Sequence, residues 1–313
     1  MKVDFSLSGT VPRFERIRQT PKLRIPQETA LILFIAVLFE LVVLLADFVA
    51  QISVGIALAI ASVQLDAETG TAVILLLRSV EIAAVLLFCR CIERRAFRTL
   101  GLTGKRMLPD YLAGLLLGFA MFSAVLLLIL AGGAAVREEN AVQPKPLLAG
   151  CLAVGWMIQG FSEELTFRGY LMMSLGTRTK PWRAVIYSAV CFALAHLGNS
   201  GISLPALVNL TLFGILMSLL VLRTDSIWCA AAVHAVWNWA QGSFYGLQVS
   251  GMETGASFFR FALTGSRTWL GGGAFGPEGG AAATLLLAVC ITVLLLLPNR
   301  SGDGLPHFHQ ISE

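Results

Sequence analysis

Long apolar runs, each closed by a short polar connection, leave this chain few ways to fold. A helix needs about 20 apolar residues to cross the hydrocarbon core, and a backbone in lipid must satisfy its own hydrogen bonds. The first run extends from Thr29 to about Ser62, longer than one crossing, and is read as a span over 29–50 with an extension or kink beyond. Further spans are expected over about 71–91, 109–130, from Leu147 onward, 181–196, 204–222, 226–244 and 281–297. Of 313 residues, 56% are hydrophobic and 13% charged, against about 45–50% and about 25% in ordinary globular chains. The expectation is an all-α fold, a polytopic transmembrane helix bundle of about eight spans. It forms one domain over 29–298, between a basic amino-terminal segment, 1–28, and a short tail, 299–313.

The charges add an orientation. Residues 1–26 are polar and basic, with no apolar core and no cleavage site of the signal-peptide kind. Arg90, Arg94, Arg95, Arg98, Lys105 and Arg106 form the densest basic stretch, whose expected neighbours are anionic lipid headgroups rather than nucleic acid. With eight spans, the amino terminus, this loop, residues 168–183, Arg223 and Arg300 fall on one side. Only Arg137, Lys145, Arg260 and Arg267 fall on the other. The positive-inside rule then predicts a multi-pass cell-membrane protein with both termini cytosolic. The Gly-rich connection 246–280 reads as an interfacial loop or lid. The six cysteines show no C-x-x-C spacing and read as small buried hydrophobes. Gly114 and Gly118 form a small-xxx-small pair suited to close helix packing.

Against this apolar background stands Gly160-Phe-Ser-Glu-Glu-Leu-Thr-Phe-Arg-Gly-Tyr-Leu171. An ionisable group at the centre of a spanning helix costs about 2.5–3.5 kcal/mol, so such groups persist where they pair, line a cavity or do chemistry. Glu164 and Arg168 are i,i+4 neighbours able to pair, while Glu163 points about 100° away and is left free to act. Two of the four histidines also lie in apolar runs: His196 ends Phe192-Ala-Leu-Ala-His, and His234 shares a helix face with Asn238. A carboxylate and an imidazole can take a proton from water near neutral pH, and an imidazole with an amide can donate to a developing oxyanion. Three of these groups, Glu163, His196 and His234, could instead hold a divalent ion, zinc among them, that acidifies water. The same residue types also serve ion or proton relays and binding proteins.

Glu163-Glu164-x-x-x-Arg168, Phe192-x-x-x-His196 and His234-x-x-x-Asn238, in that order on successive apolar segments, resemble the CPBP intramembrane protease family. That family groups CAAX prenyl endopeptidases with bacterial bacteriocin-processing and immunity proteins. The resemblance covers about 147–245, the expected catalytic core. Two further phrases, Phe97-Arg-Thr-Leu-Gly-Leu102 and Gly272-Gly-Ala-Phe-Gly-Pro-Glu-Gly-Gly280, are similar to bacterial members. By this resemblance Glu163 and His196 activate water, His234 and Asn238 stabilise the oxyanion, and Glu164 and Arg168 shape the site. It implies an endopeptidase acting on a membrane-associated peptide or protein. A metal-independent mechanism is preferred because an amide is a poor zinc ligand, although the family is often labelled metalloprotease. Zinc dependence, a silent immunity or binding role, or coupled transport are the alternatives.

One expectation conflicts with itself. Glu163 lies about 24 Å along a span that starts at Leu147 and runs inward, near its cytosolic end, whereas His196 ends a span that runs outward. Either the fourth helix continues well past Arg168, or the spans are tilted around a water-filled cavity.

Overall fold

The computed structural model describes residues 29–104, 106–138 and 145–297, so the basic amino-terminal segment, Lys105 and the tail lie outside the described residues. The fold is an all-α bundle. In chain order its helices are α1 (Thr29–Ile60), α2 (Ala67–Leu87), α3 (Met107–Ala131), α4 (Pro146–Glu164), α5 (Pro181–Leu194), α6 (Leu204–Thr224), α7 (Trp228–Trp239) and α8 (Ala281–Leu296). They occupy the places of the expected spans. Among the described residues four stretches are long and apolar enough to cross a membrane: Leu41–Ile60, Glu68–Ile92, Met107–Ala131 and Leu204–Thr224. Helices α5 and α8 are apolar but shorter, α4 carries Glu163 and Glu164 in its last turn, and α7 has 12 residues.

Residues 29–60 form a single helix of 32 residues, so the run beyond residue 50 continues as helix. Its outward side chains, Leu41, Leu45, Phe48, Val49 and Ile56 among them, are exposed, as a helix facing lipid requires. Asp66 caps α2, its carboxylate accepting from the Thr69 N–H at 2.7 Å. Connection 246–280 holds no span. It contributes a short strand, β2 (Phe261–Leu263), that pairs antiparallel with β1 (Ala135–Arg137).

Helix α7 sits at the centre, packed between α3 and α4. Glycine makes both contacts close. A β-carbon on Gly114 would collide with the Cys229 carbonyl, and one on Gly118 would lie 2.5 Å from the Val233 carbonyl oxygen. From the other side, a β-carbon on Gly160 would lie 2.7 Å from the Ala235 nitrogen. Without a hydrophobic driving force between helices in lipid, such close backbone approach is what holds them together. It clamps the helix that carries His234 and Asn238 against the one that carries Glu163.

The basic stretch is only partly a surface. Arg95 is buried, donating to Glu93 at 2.7 Å and to the Ser174 hydroxyl at 2.8 Å, while Tyr170 donates to the other Glu93 oxygen at 2.9 Å. It therefore ties residues 93–99 to the helical run containing Tyr170 and Ser174. Arg90, Arg94, Arg98 and Arg106 remain exposed.

Candidate active site

The fourth helix does not stop at the motif. From Glu164 it runs on through a π-helical stretch, Leu165–Met172, and a last α-turn, Met173–Gly176. Glu163 thus stands mid-way along a continuous helical run. Helix α5, at 14 residues, rises only about 21 Å. His196, in the turn that follows it, reaches the same cavity as Glu163. Of the two arrangements expected, the fold has the fourth helix that continues past Arg168.

Glu163, His196, His234 and Asn238 line one cavity of about 370 Å³. Glu164 and Arg168 lie behind it, both wholly buried, with Arg168 Nη1 donating to Glu164 Oε1 at 2.9 Å. The i,i+4 pairing read from the sequence is therefore present. Arg168 also stacks over the Phe192 ring, its Cζ 4.4 Å from the centroid, a favourable place for a desolvated guanidinium.

The hydrogen bonds fix which ring nitrogen faces the cavity. His234 Nδ1 is 2.8 Å from Glu164 Oε1. An ionised carboxylate only accepts, so Nδ1 carries the proton and Nε2 turns to the cavity, 3.6 Å from Glu163 Oε2. His196 Nδ1 is 2.8 Å from the Phe192 carbonyl oxygen. By the same reasoning it donates there and leaves Nε2 with a lone pair. Phe192 and Phe213 pack their rings against His234, and Phe192 also lies against His196.

Gln159 joins the set, a residue the sequence reading did not single out. It donates through Nε2 to Glu163 Oε1 at 2.6 Å and accepts from Asn238 Nδ2 at 3.0 Å. One amide thus connects the carboxylate on α4 to the amide on α7. Glu163 Oε2, buried, accepts no hydrogen bond from the described residues.

The rest of the wall comes from elsewhere. Asp47 of α1 and Arg78 and Glu81 of α2 line the same cavity, with Arg78 Nη1 paired to Glu81 and 3.4 Å from Asp47 Oδ2. Beyond His196, Asn199 donates to the Ser250 carbonyl at 3.0 Å. Glu278 accepts from the Ser250 N–H and hydroxyl at 2.7 and 2.9 Å. Burial pushes the Glu278 carboxyl up, against the opposing pull of those Ser250 bonds. Connection 246–280 therefore closes the side of the cavity next to His196.

Among the described residues no three His, Cys, Asp or Glu side chains are grouped to hold a metal ion.

Residues 145–240 match the family model of type II CAAX prenyl endopeptidase Rce1-like proteins. That segment is Rce1-like. The match bears out the resemblance to the CPBP family and supports a CAAX-type protease of membranes. It contains all four motif residues and Gln159, and leaves Asp47, Arg78, Glu81 and Glu278 outside. No curated protein matches the chain.

Proposed function

We propose that this protein is an intramembrane endopeptidase that hydrolyses a peptide bond of a membrane-associated peptide or protein with water activated by Glu163 and His196. The observation that carries the reading is that four side chains from three separate sequence motifs line one cavity. Glu163 Oε2 and His196 Nε2 are both acceptors without a donor of their own, and a water molecule has two O–H groups to offer. As the oxygen attacks the scissile carbonyl, one proton passes to this pair and is later delivered to the leaving amine. Neither residue is tied to a guanidinium, as a proton acceptor must not be.

The oxyanion falls to His234 and Asn238. Asn238 has two N–H groups and spends one on Gln159, which leaves the second for the developing charge. His234 acts as an imidazolium protonated from solvent before the substrate enters, so that Nε2 donates to the oxyanion, and Glu164, holding Nδ1, stabilises that cation, much as a buried carboxylate supports a catalytic histidine elsewhere. The reading requires no metal. The multi-pass arrangement in the cell membrane with cytosolic termini, contact with anionic lipid, and a lack of nucleic-acid partners belong to the same proposal. The test is incubation of the purified protein in lipid nanodiscs with lipid-anchored peptides, products being identified by mass spectrometry. Cleavage by the wild type and none by Glu163→Gln is expected, and uncleaved peptides throughout would favour a binding or immunity role.

A further inference from the structure

The wall of the cavity formed by α1 and α2 carries charge that water activation does not use. Asp47, Glu81, Glu163 and Glu278 set four carboxylates against one guanidinium, Arg78, in a lining that also holds the imidazoles of His196 and His234. Glu278 already accepts two hydrogen bonds from Ser250, which leaves Asp47, Glu81 and Glu163 beside Arg78. Arg78 uses a single nitrogen, Nη1, for both Asp47 and Glu81, so it holds the two acids side by side without neutralising both. Asp47 Oδ2 also accepts from Gln51 at 2.6 Å. Its other oxygen, Oδ1, is buried and receives no hydrogen bond among the described residues, although the residue is only 6% exposed and faces the cavity.

A buried carboxylate oxygen without a donor is costly. A cavity lined by one sign of charge with low-dielectric walls concentrates ions of the opposite sign. We infer that Asp47 and Glu81, held by Arg78, form a subsite for a lysine or arginine side chain of the substrate, in the cavity that Glu163 also lines. The cation supplies the N–H donor that Asp47 Oδ1 lacks and brings the local charge close to neutral. A substrate carboxylate would meet three anions and one guanidinium already twice paired. The inference rests on the protease reading for its substrate, and it adds a specificity determinant outside the Rce1-like segment.

The experiment uses Glu163→Gln, which cannot cleave on the proposed mechanism, in nanodiscs. Affinity is measured for N-acetylated lipid-anchored peptides that differ only by Lys or Gln, scanned through each position. Acetylation keeps a terminal ammonium from standing in for the side chain. At one position the lysine peptide is expected to bind at least about tenfold more tightly. Asp47→Asn in the same background, or Glu81→Gln should that variant fail to accumulate, should reduce the difference to about twofold. Equal affinity of both peptides at every position, no binding of either, or a preference unchanged by the substitutions would overturn the subsite. Wild-type cleavage without a lysine preference would reject the subsite and leave the protease standing. Bound lysine peptides that the wild type never cleaves would keep the subsite and remove the protease.

Discussion

His234 donates through Nδ1 to Glu164, 2.8 Å away, and the acceptor is the same oxygen that receives Arg168. The wholly buried ion pair therefore reaches the cavity indirectly, by fixing the ring that faces it. Breaking a buried pair from one side leaves an uncompensated charge and costs about 3–5 kcal/mol. Arg168→Ala should accordingly lower the yield of folded protein and its melting temperature. Normal accumulation and thermal stability, measured in detergent, would contradict the pairing.

Gln159 tests the link between the two halves of the site. Gln159→Leu removes the donor to Glu163 Oε1 and the acceptor of Asn238 while filling similar space. Losing such bonds in a buried setting costs about 1–3 kcal/mol, or roughly tenfold to a hundredfold in rate. Turnover should fall to that degree, and the melting temperature should fall with it. Full activity would mean the amide is only packing.

The close approach of α7 to α3 and α4 predicts intolerance of side chains there. Gly118→Leu and Gly160→Val should each destabilise the protein, since overpacking a core costs about 1–3 kcal/mol even where neighbours can yield, and here the obstacles are backbone atoms. The control is Gly150→Leu, a position with open space around its added atoms, which should be tolerated. Equal stability of all three variants would remove the clamp from the account.

Much of this site is legible in the residues, because its parts lie at i,i+4 spacing within single helices: Glu164 with Arg168, Phe192 with His196, His234 with Asn238. Gln159 stands at the same spacing from Glu163, and that spacing was the available signal. Its bond to Asn238 is not legible, since it depends on how α4 and α7 cross. Arg78 and Glu81 could be read as a pair three residues apart, but their facing Glu163, and their sharing with Asp47, arise only when α1 and α2 pack against the rest. The apolar runs locate the helices. The depth of Glu163 is hidden from them, because the fourth helix passes through its polar motif as a π-helical stretch and ends only at Gly176.

Orientation follows from the basic residues. Glu138→Cys should react with a membrane-impermeant thiol reagent in intact cells, and Arg98→Cys only after lysis, both positions being exposed in the fold. Lys145 and Glu68, joined at 2.7 Å, belong to the Glu138 side in the eight-span arrangement. Labelling of position 98 from outside would overturn that arrangement.

The central claim, that Glu163 and His196 activate water without a metal, is tested most directly by cleavage rates of one lipid-anchored peptide after treatment with a strong chelator. The wild type should keep its activity, Glu163→Gln and His196→Ala should each lose it while remaining folded, and Asn238→Ala should retain a measurable rate about 100- to 1000-fold lower, the usual consequence of losing one oxyanion donor. Undiminished cleavage by Glu163→Gln, or activity abolished by the chelator and restored by zinc, would contradict it.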